Sequence, residues 1–200
     1  MNFLAHIYLS KNDNNILIGN FISDAIKGKS YKKYPKEIQV GLILHRNIDN
    51  FTDTHPIVKR SMRRLNPRYR HFDGVIIDIL YDHFLAKNWS NYSEIPLETY
   101  AENVYQFLTK HVDSFPEELQ KLLPNMIKYN WLVNYASLEG IERVLGGMNR
   151  RTKGISQMDL AIEDLKLHYD EFEADFTSFF QEIIDFTDKK IIELIASKEI

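Results

Sequence analysis

The stretch VGLILHRNIDNF, residues 40–51, read together with VIIDILYDHFLA, residues 75–86, decides the fold. In the first, Val40, Leu44, Ile48 and Phe51 recur at the spacing of one helical face. His45 and Asp49 sit beside that stripe, four residues apart and so on the same side of a helix, one turn on. The second stretch is apolar nearly all round, which marks a buried helix, yet it carries Asp78 and Asp82 at the same spacing. A buried charge is costly unless it is paired or bound to a metal, and neighbouring carboxylates repel unless a cation lies between them. Two helices that each present a pair of ligand-type side chains therefore predict a metal centre inside a helical core.

Upstream, residues 2–9 form a short apolar segment with His6 at its centre, and the polar run Lys11 to Asn15 breaks it. Residues 16–26 are apolar again, with Asp24 near their end and Lys27-Gly28-Lys29 as a stop, so two short helices are expected. A lone histidine in an apolar segment is more often a satisfied core residue than a ligand. An aspartate among Phe21, Ile22, Ala25 and Ile26 is unusual unless it caps a helix or binds something. The first cluster helix should run from about Glu37 to Asp53, between Pro35 and His55-Pro56. After it come Lys59, Arg60, Arg63, Arg64, Arg68 and Arg70. Most charge runs are solvated faces, but in a chain of net charge -3 this one is a local asymmetry suited to phosphate or an acidic partner. Asp73-Gly74 then reads as cap and turn before a helix from Val75 to about Lys87.

Downstream, a helix is expected from Leu97 to His111, a break at Ser114 to Pro116, and a helix from Pro124 to Tyr135 that puts Trp131 and Tyr135 on one face. Gly140, Gly146, Gly147 and Gly154 alternate with Arg143, Arg150, Arg151 and Lys153, a pattern that suits either a phosphate-approaching backbone or a plain loop; it is neither a Walker nor a Rossmann motif. Ser156 to Ala196 reads as one or two long acidic amphipathic helices, with Phe172, Phe176, Phe179, Phe180, Ile183 and Ile184 buried. With no repeats and no strand series, the fold class is all-α: a single-domain helical bundle over residues 1–200. A content of 44% hydrophobic and 12% aromatic residues supports one sizeable core. The net charge gives no bias toward nucleic acid or an anionic membrane. The chain has no cysteine, so a metal would be held by nitrogen and oxygen, which suits Mn²⁺ or Mg²⁺ and admits Fe²⁺ or Zn²⁺. There is no basic leader and no run of roughly 20 apolar residues, so a soluble cytoplasmic protein is expected.

Several blocks together resemble a known family. They are Met-Asn-Phe-Leu-Ala-His at the start, residues 19–24, the block from His45 to Pro56, the block from Gly74 to Ala86, Asn130-Trp131-Leu132, and Gly147-Met148. In this order, over about the first three quarters of the chain, they look like acyl carrier protein phosphodiesterase. The resemblance implies an all-helical, HD-domain-like metal phosphohydrolase that removes 4'-phosphopantetheine from holo acyl carrier protein, with manganese favoured. Ordinary HD proteins carry a His-Asp dipeptide; here only the reversed Asp82-His83 occurs, so the ligands are taken from helical spacing. Resemblance and spacing together imply a metal held by Asp24, His45, Asp49 and Asp78, with His6 and Asp82 as further ligands, activating water for attack on phosphorus. Asp82 and His83 are the catalytic candidates, His83 either protonating the leaving serine oxygen or holding a ligand. Arg60, Arg63, Arg64, Arg68 and Arg70 would dock the acidic carrier. A phosphohydrolase acting on a nucleotide and a non-enzymatic helical module are the rival readings, while a di-iron bundle is disfavoured because no Glu-x-x-His occurs.

Overall fold

A computed structural model describes residues 1–197; the last three residues of the expected 1–200 domain lie outside the described part. The chain is 81% helical, with no strand among the described residues. It opens with α1 (Phe3–Tyr8) and α2 (Asn14–Ile22), each started by a side-chain cap. Asn2 accepts from Phe3 N, and Asp13 accepts from Asn15 N and Ile16 N. The long α3 (Lys36–Thr54) and α4 (Pro56–Met62) meet at His55, and α5 (Asp73–Lys87) follows. Next come α6 (Leu97–His111), α7 (Glu117–Lys128), α8 (Trp131–Asn134) and α9 (Leu138–Arg151). The chain closes with α10 (Ala161–Leu167) and α11 (Tyr169–Ala196). No helix among the described residues is long and apolar enough to cross a membrane.

The centre is α5, whose Ile76, Ile77, Ile79, Leu80, Tyr81, Phe84 and Leu85 are all fully buried. α11 lies against it through Phe172, Phe176, Phe179 and Phe180, and the Phe84 and Phe176 rings stack at 6.0 Å. α2 and α3 come closest where Gly19 faces Gly41. A Cβ on Gly19 would lie 2.2 Å from Ile38 O, and one on Gly41 2.2 Å from Ile16 O. Only glycines permit this backbone contact. It brings the residue after Gly19 and the residue one turn after Gly41 together, which are Asn20 and His45.

Three expectations change. The helix expected over Pro124 to Tyr135 is two elements: α7 starts from the Pro116 cap and runs through Pro124, and the chain then turns at Asn130, φ 42°, into α8. Asparagine tolerates that left-handed conformation better than most residues. The glycine-rich stretch from Gly140 is neither a loop nor an exposed phosphate-binding backbone but mostly α9, begun by Ser137 Oγ accepting from Gly140 N at 3.1 Å. Asp24 does not project from an apolar helix: α2 stops at Ile22, and Asp24 sits in a 3-10 turn, Ser23–Ala25, with its side chain 80% exposed.

The glycine contact yields a stability test. Gly41→Ala must separate α2 from α3, and overpacking of this kind costs about 1–3 kcal/mol. Gly146→Ala, whose Cβ would meet nothing nearer than Arg150 Nη1 at 3.6 Å, should be neutral or gain up to about 1 kcal/mol from better helix propensity. Thermal melts that rank the two variants the other way would refute the close-contact reading.

Candidate metal centre

Four elements deliver the site. His6 lies in the last turn of α1, Asn20 lies on α2, Asp24 follows in the 3-10 turn, and His45 and Asp49 are one turn apart on α3. The two imidazoles stack, with centroids 3.9 Å apart. Asn20 fixes both. Its amide nitrogen donates to His6 O at 2.7 Å and Ser10 Oγ at 3.1 Å, so its Oδ1 must face the rings. That oxygen accepts from His6 Nδ1 at 2.8 Å and His45 Nδ1 at 3.0 Å, and Asn20 O lies 2.9 Å from His45 Nδ1. With both Nδ1 atoms donating, each neutral ring carries its lone pair on Nε2.

Both Nε2 atoms point at carboxylate oxygen. His45 Nε2 is 3.1 Å from Asp49 Oδ2 and 3.1 Å from Asp24 Oδ1. His6 Nε2 is 3.1 Å from Asp49 Oδ1 but poorly aligned, so it is a buried polar atom without a hydrogen-bond partner. Lone pairs facing carboxylates at this distance require a proton or a cation between them. Without a metal, protons divide unequally. Burial opposes charge on His45, but Asp24 and Asp49 outweigh it and raise its pKa to about 9. Burial and the neighbouring His45 push His6 down to about 4. Burial disfavours the Asp49 anion, yet the two imidazoles hold its pKa far below the usual carboxylate range. His6, His45 and Asp49 offer donor atoms within 4.8 Å of one another, and the orphaned His6 Nε2 fits a bound ion. Two imidazole nitrogens with carboxylate oxygen suit a borderline or hard divalent ion.

The other candidates lie elsewhere. Asp82 accepts from Leu4 N at 2.8 Å and from Asn2 N and Ala5 N at 3.3 Å, so it caps the start of α1 from across the core. Burial raises its pKa to about 7 against the pull of the Met1 ammonium and those N–H groups. Asp78 is 2.7 Å from the Met1 ammonium. An ammonium and three N–H groups thus face these two carboxylates, so both have partners within the chain. His83 is also engaged at both ring nitrogens, Nδ1 with Tyr135 O and Nε2 with Tyr169 Oη, each at 2.7 Å. In the basic segment, Arg60 and Arg64 both pair with the buried Asp175, which also accepts from Ser61 Oγ at 2.8 Å. Arg68 lies over the Tyr69 ring, whereas Arg63 and Arg70 are exposed. Sequence reasoning missed Asn20 as a site residue. Its signal is an amide inside the apolar run from Ile16 to Ile22, where a buried polar group must have partners.

A family model described as acyl carrier protein phosphodiesterase matches residues 1–183. Curated relatives with the same description include a Photorhabdus laumondii protein, 32% identical over 95% of this chain and 96% of its own. One from Pectobacterium atrosepticum is 31% identical over 90% and 94%, and one from Klebsiella pneumoniae is 30% identical over 95% and 99%. No solved structure matches.

Because the folded-state pKa of His45 lies above 6.5, its ion pairs stabilise the metal-free protein most below pH 6.5, and that contribution fades as pH climbs through about 9. A metal must displace the same proton. Calorimetric titration with Mn²⁺ near pH 7.5, in buffers of different ionisation enthalpy, should report about one proton released per ion, falling toward none above pH 9. A binding enthalpy independent of buffer would refute the shared-proton arrangement.

Proposed function

Because this chain belongs to the acyl carrier protein phosphodiesterase family, we propose that it hydrolyses the phosphodiester joining 4'-phosphopantetheine to a serine of holo acyl carrier protein. The apo carrier and free phosphopantetheine are the products. The reading includes a divalent ion, Mn²⁺ foremost, held by His6, His45 and Asp49. What carries it is the convergence of two Nε2 lone pairs, both fixed by Asn20, on one carboxylate. When bound there, the ion supplies Lewis acidity toward a phosphoryl oxygen and toward water.

The chain's own residues supply the rest. Asn20 holds both imidazoles in the donor tautomer and keeps them from turning. Asp24 offers a further oxygen from the exposed side, the side from which substrate must enter because both imidazoles are buried. Asp78 and Asp82 act through α1: by holding its start they set the place of His6 one turn on. His83 fixes Tyr135 and Tyr169 rather than touching substrate. The acidic carrier meets exposed positive charge on Lys32 and Lys33, before α3, and on Arg63 and Arg70, after α4.

Mass spectrometry of holo acyl carrier protein incubated with the protein and Mn²⁺ tests this directly. The carrier should lose the phosphopantetheine mass, chelator should stop the loss, and Asn20→Leu should weaken Mn²⁺ binding about 10–100-fold. Reversal of Lys32, Lys33, Arg63 and Arg70 to Glu should raise KM for the carrier without changing metal content. A carrier that keeps its mass overturns the substrate, and unchanged turnover in chelator or in Asp49→Ala overturns the metal.

A further inference from the structure

We propose that a cavity of about 600 Å³ between α1, α8 and α9 binds the phosphopantetheine arm itself, an inference that rests on the function proposed above. Its position suits that role. Asn2, the cap of α1, and Phe3 line it, and Phe3 lies on the face of α1 that carries His6 three residues further on. Three residues of helix rise by about 4.5 Å. Phe3 also packs against Phe21, neighbour of Asn20, with ring centroids 5.8 Å apart. One wall residue of the cavity, Phe3, thus lies within one helical turn of His6.

One wall is a stripe of α9: Gly140, Arg143, Val144, Gly147, Met148 and Arg151, spaced as one helical face. The two glycines serve different ends. A Cβ on Gly140 would lie 1.8 Å from Asn134 O, so packing against α8 requires that glycine. A Cβ on Gly147 would meet nothing nearer than Arg150 Nη2 at 3.7 Å, so no neighbour requires this one. Glycine inside a helix costs about 1 kcal/mol relative to alanine. What Gly147 provides is open space in a cavity wall that also includes the cations Arg143, Arg150 and Arg151 and the apolar Val144, Met148 and Trp131. The phosphopantetheine arm has matching chemistry, with an anionic phosphate at one end, a geminal dimethyl group and two amides. A cavity of this volume is in the range that holds small ligands.

Gly147→Leu tests the inference, because filling this space should leave the fold and Mn²⁺ binding intact, with a melting temperature at least that of wild type. Free 4'-phosphopantetheine should change the emission of Trp131 in the wild type, while Trp89, buried elsewhere and donating to Ile95 O, stays constant. In Gly147→Leu that change should vanish and KM for holo carrier should rise at least tenfold. Arg151→Glu should weaken phosphopantetheine binding more than pantetheine binding. A wild type that cleaves the carrier, with Gly147→Leu equal to it in KM and in the emission response, overturns the cavity assignment alone. A wild type that binds phosphopantetheine in this way yet leaves the carrier intact keeps the cavity and overturns the reaction.

Discussion

Two imidazoles share one acceptor, and the site depends on that. Asn20 Oδ1 takes a hydrogen bond from each Nδ1, which turns the Nε2 atoms of two buried imidazoles toward carboxylate oxygen. The orientation of Asn20 is itself set by its amide nitrogen, which donates to His6 O and Ser10 Oγ. Its position is set by the Gly19 to Gly41 contact, without which α2 could not bring an amide so near α3. A packing feature with no chemistry of its own thus fixes the chemistry.

Charge in the core is divided between two arrangements. Around His45, carboxylates hold a proton that a metal can displace. Around α5, Asp78 and Asp82 face the Met1 ammonium and three N–H groups, contacts that join α5 to the start of α1. Asp175 of α11 likewise ties down Arg60 of α4 and Arg64 just beyond the end of that helix.

Much of this was legible in the residues. The period of Val40, Leu44, Ile48 and Phe51 located α3, and four-residue spacing put His45 beside Asp49. The all-apolar surround of Asp78 and Asp82 correctly marked α5 as buried. What spacing within one helix does not carry is which group from another element answers a charge. The N–H groups that Asp82 meets belong to the start of α1 and leave no mark in the sequence around Asp82, and Asn20 is polar but uncharged. The glycines of α9 suggest a loop because glycine in a helix is ordinarily a cost, whereas at Gly140 that cost is borne because a Cβ there would lie 1.8 Å from Asn134 O.

The central claim is that His6 and His45 together hold one divalent ion. Pulsed electron paramagnetic resonance on the Mn²⁺-loaded protein measures it most directly, because the nitrogens of coordinated imidazoles couple to the manganese spin. Couplings from two imidazoles in the wild type, and from one in His6→Ala, are the result this account predicts. An active, Mn²⁺-loaded protein showing no nitrogen coupling would contradict it.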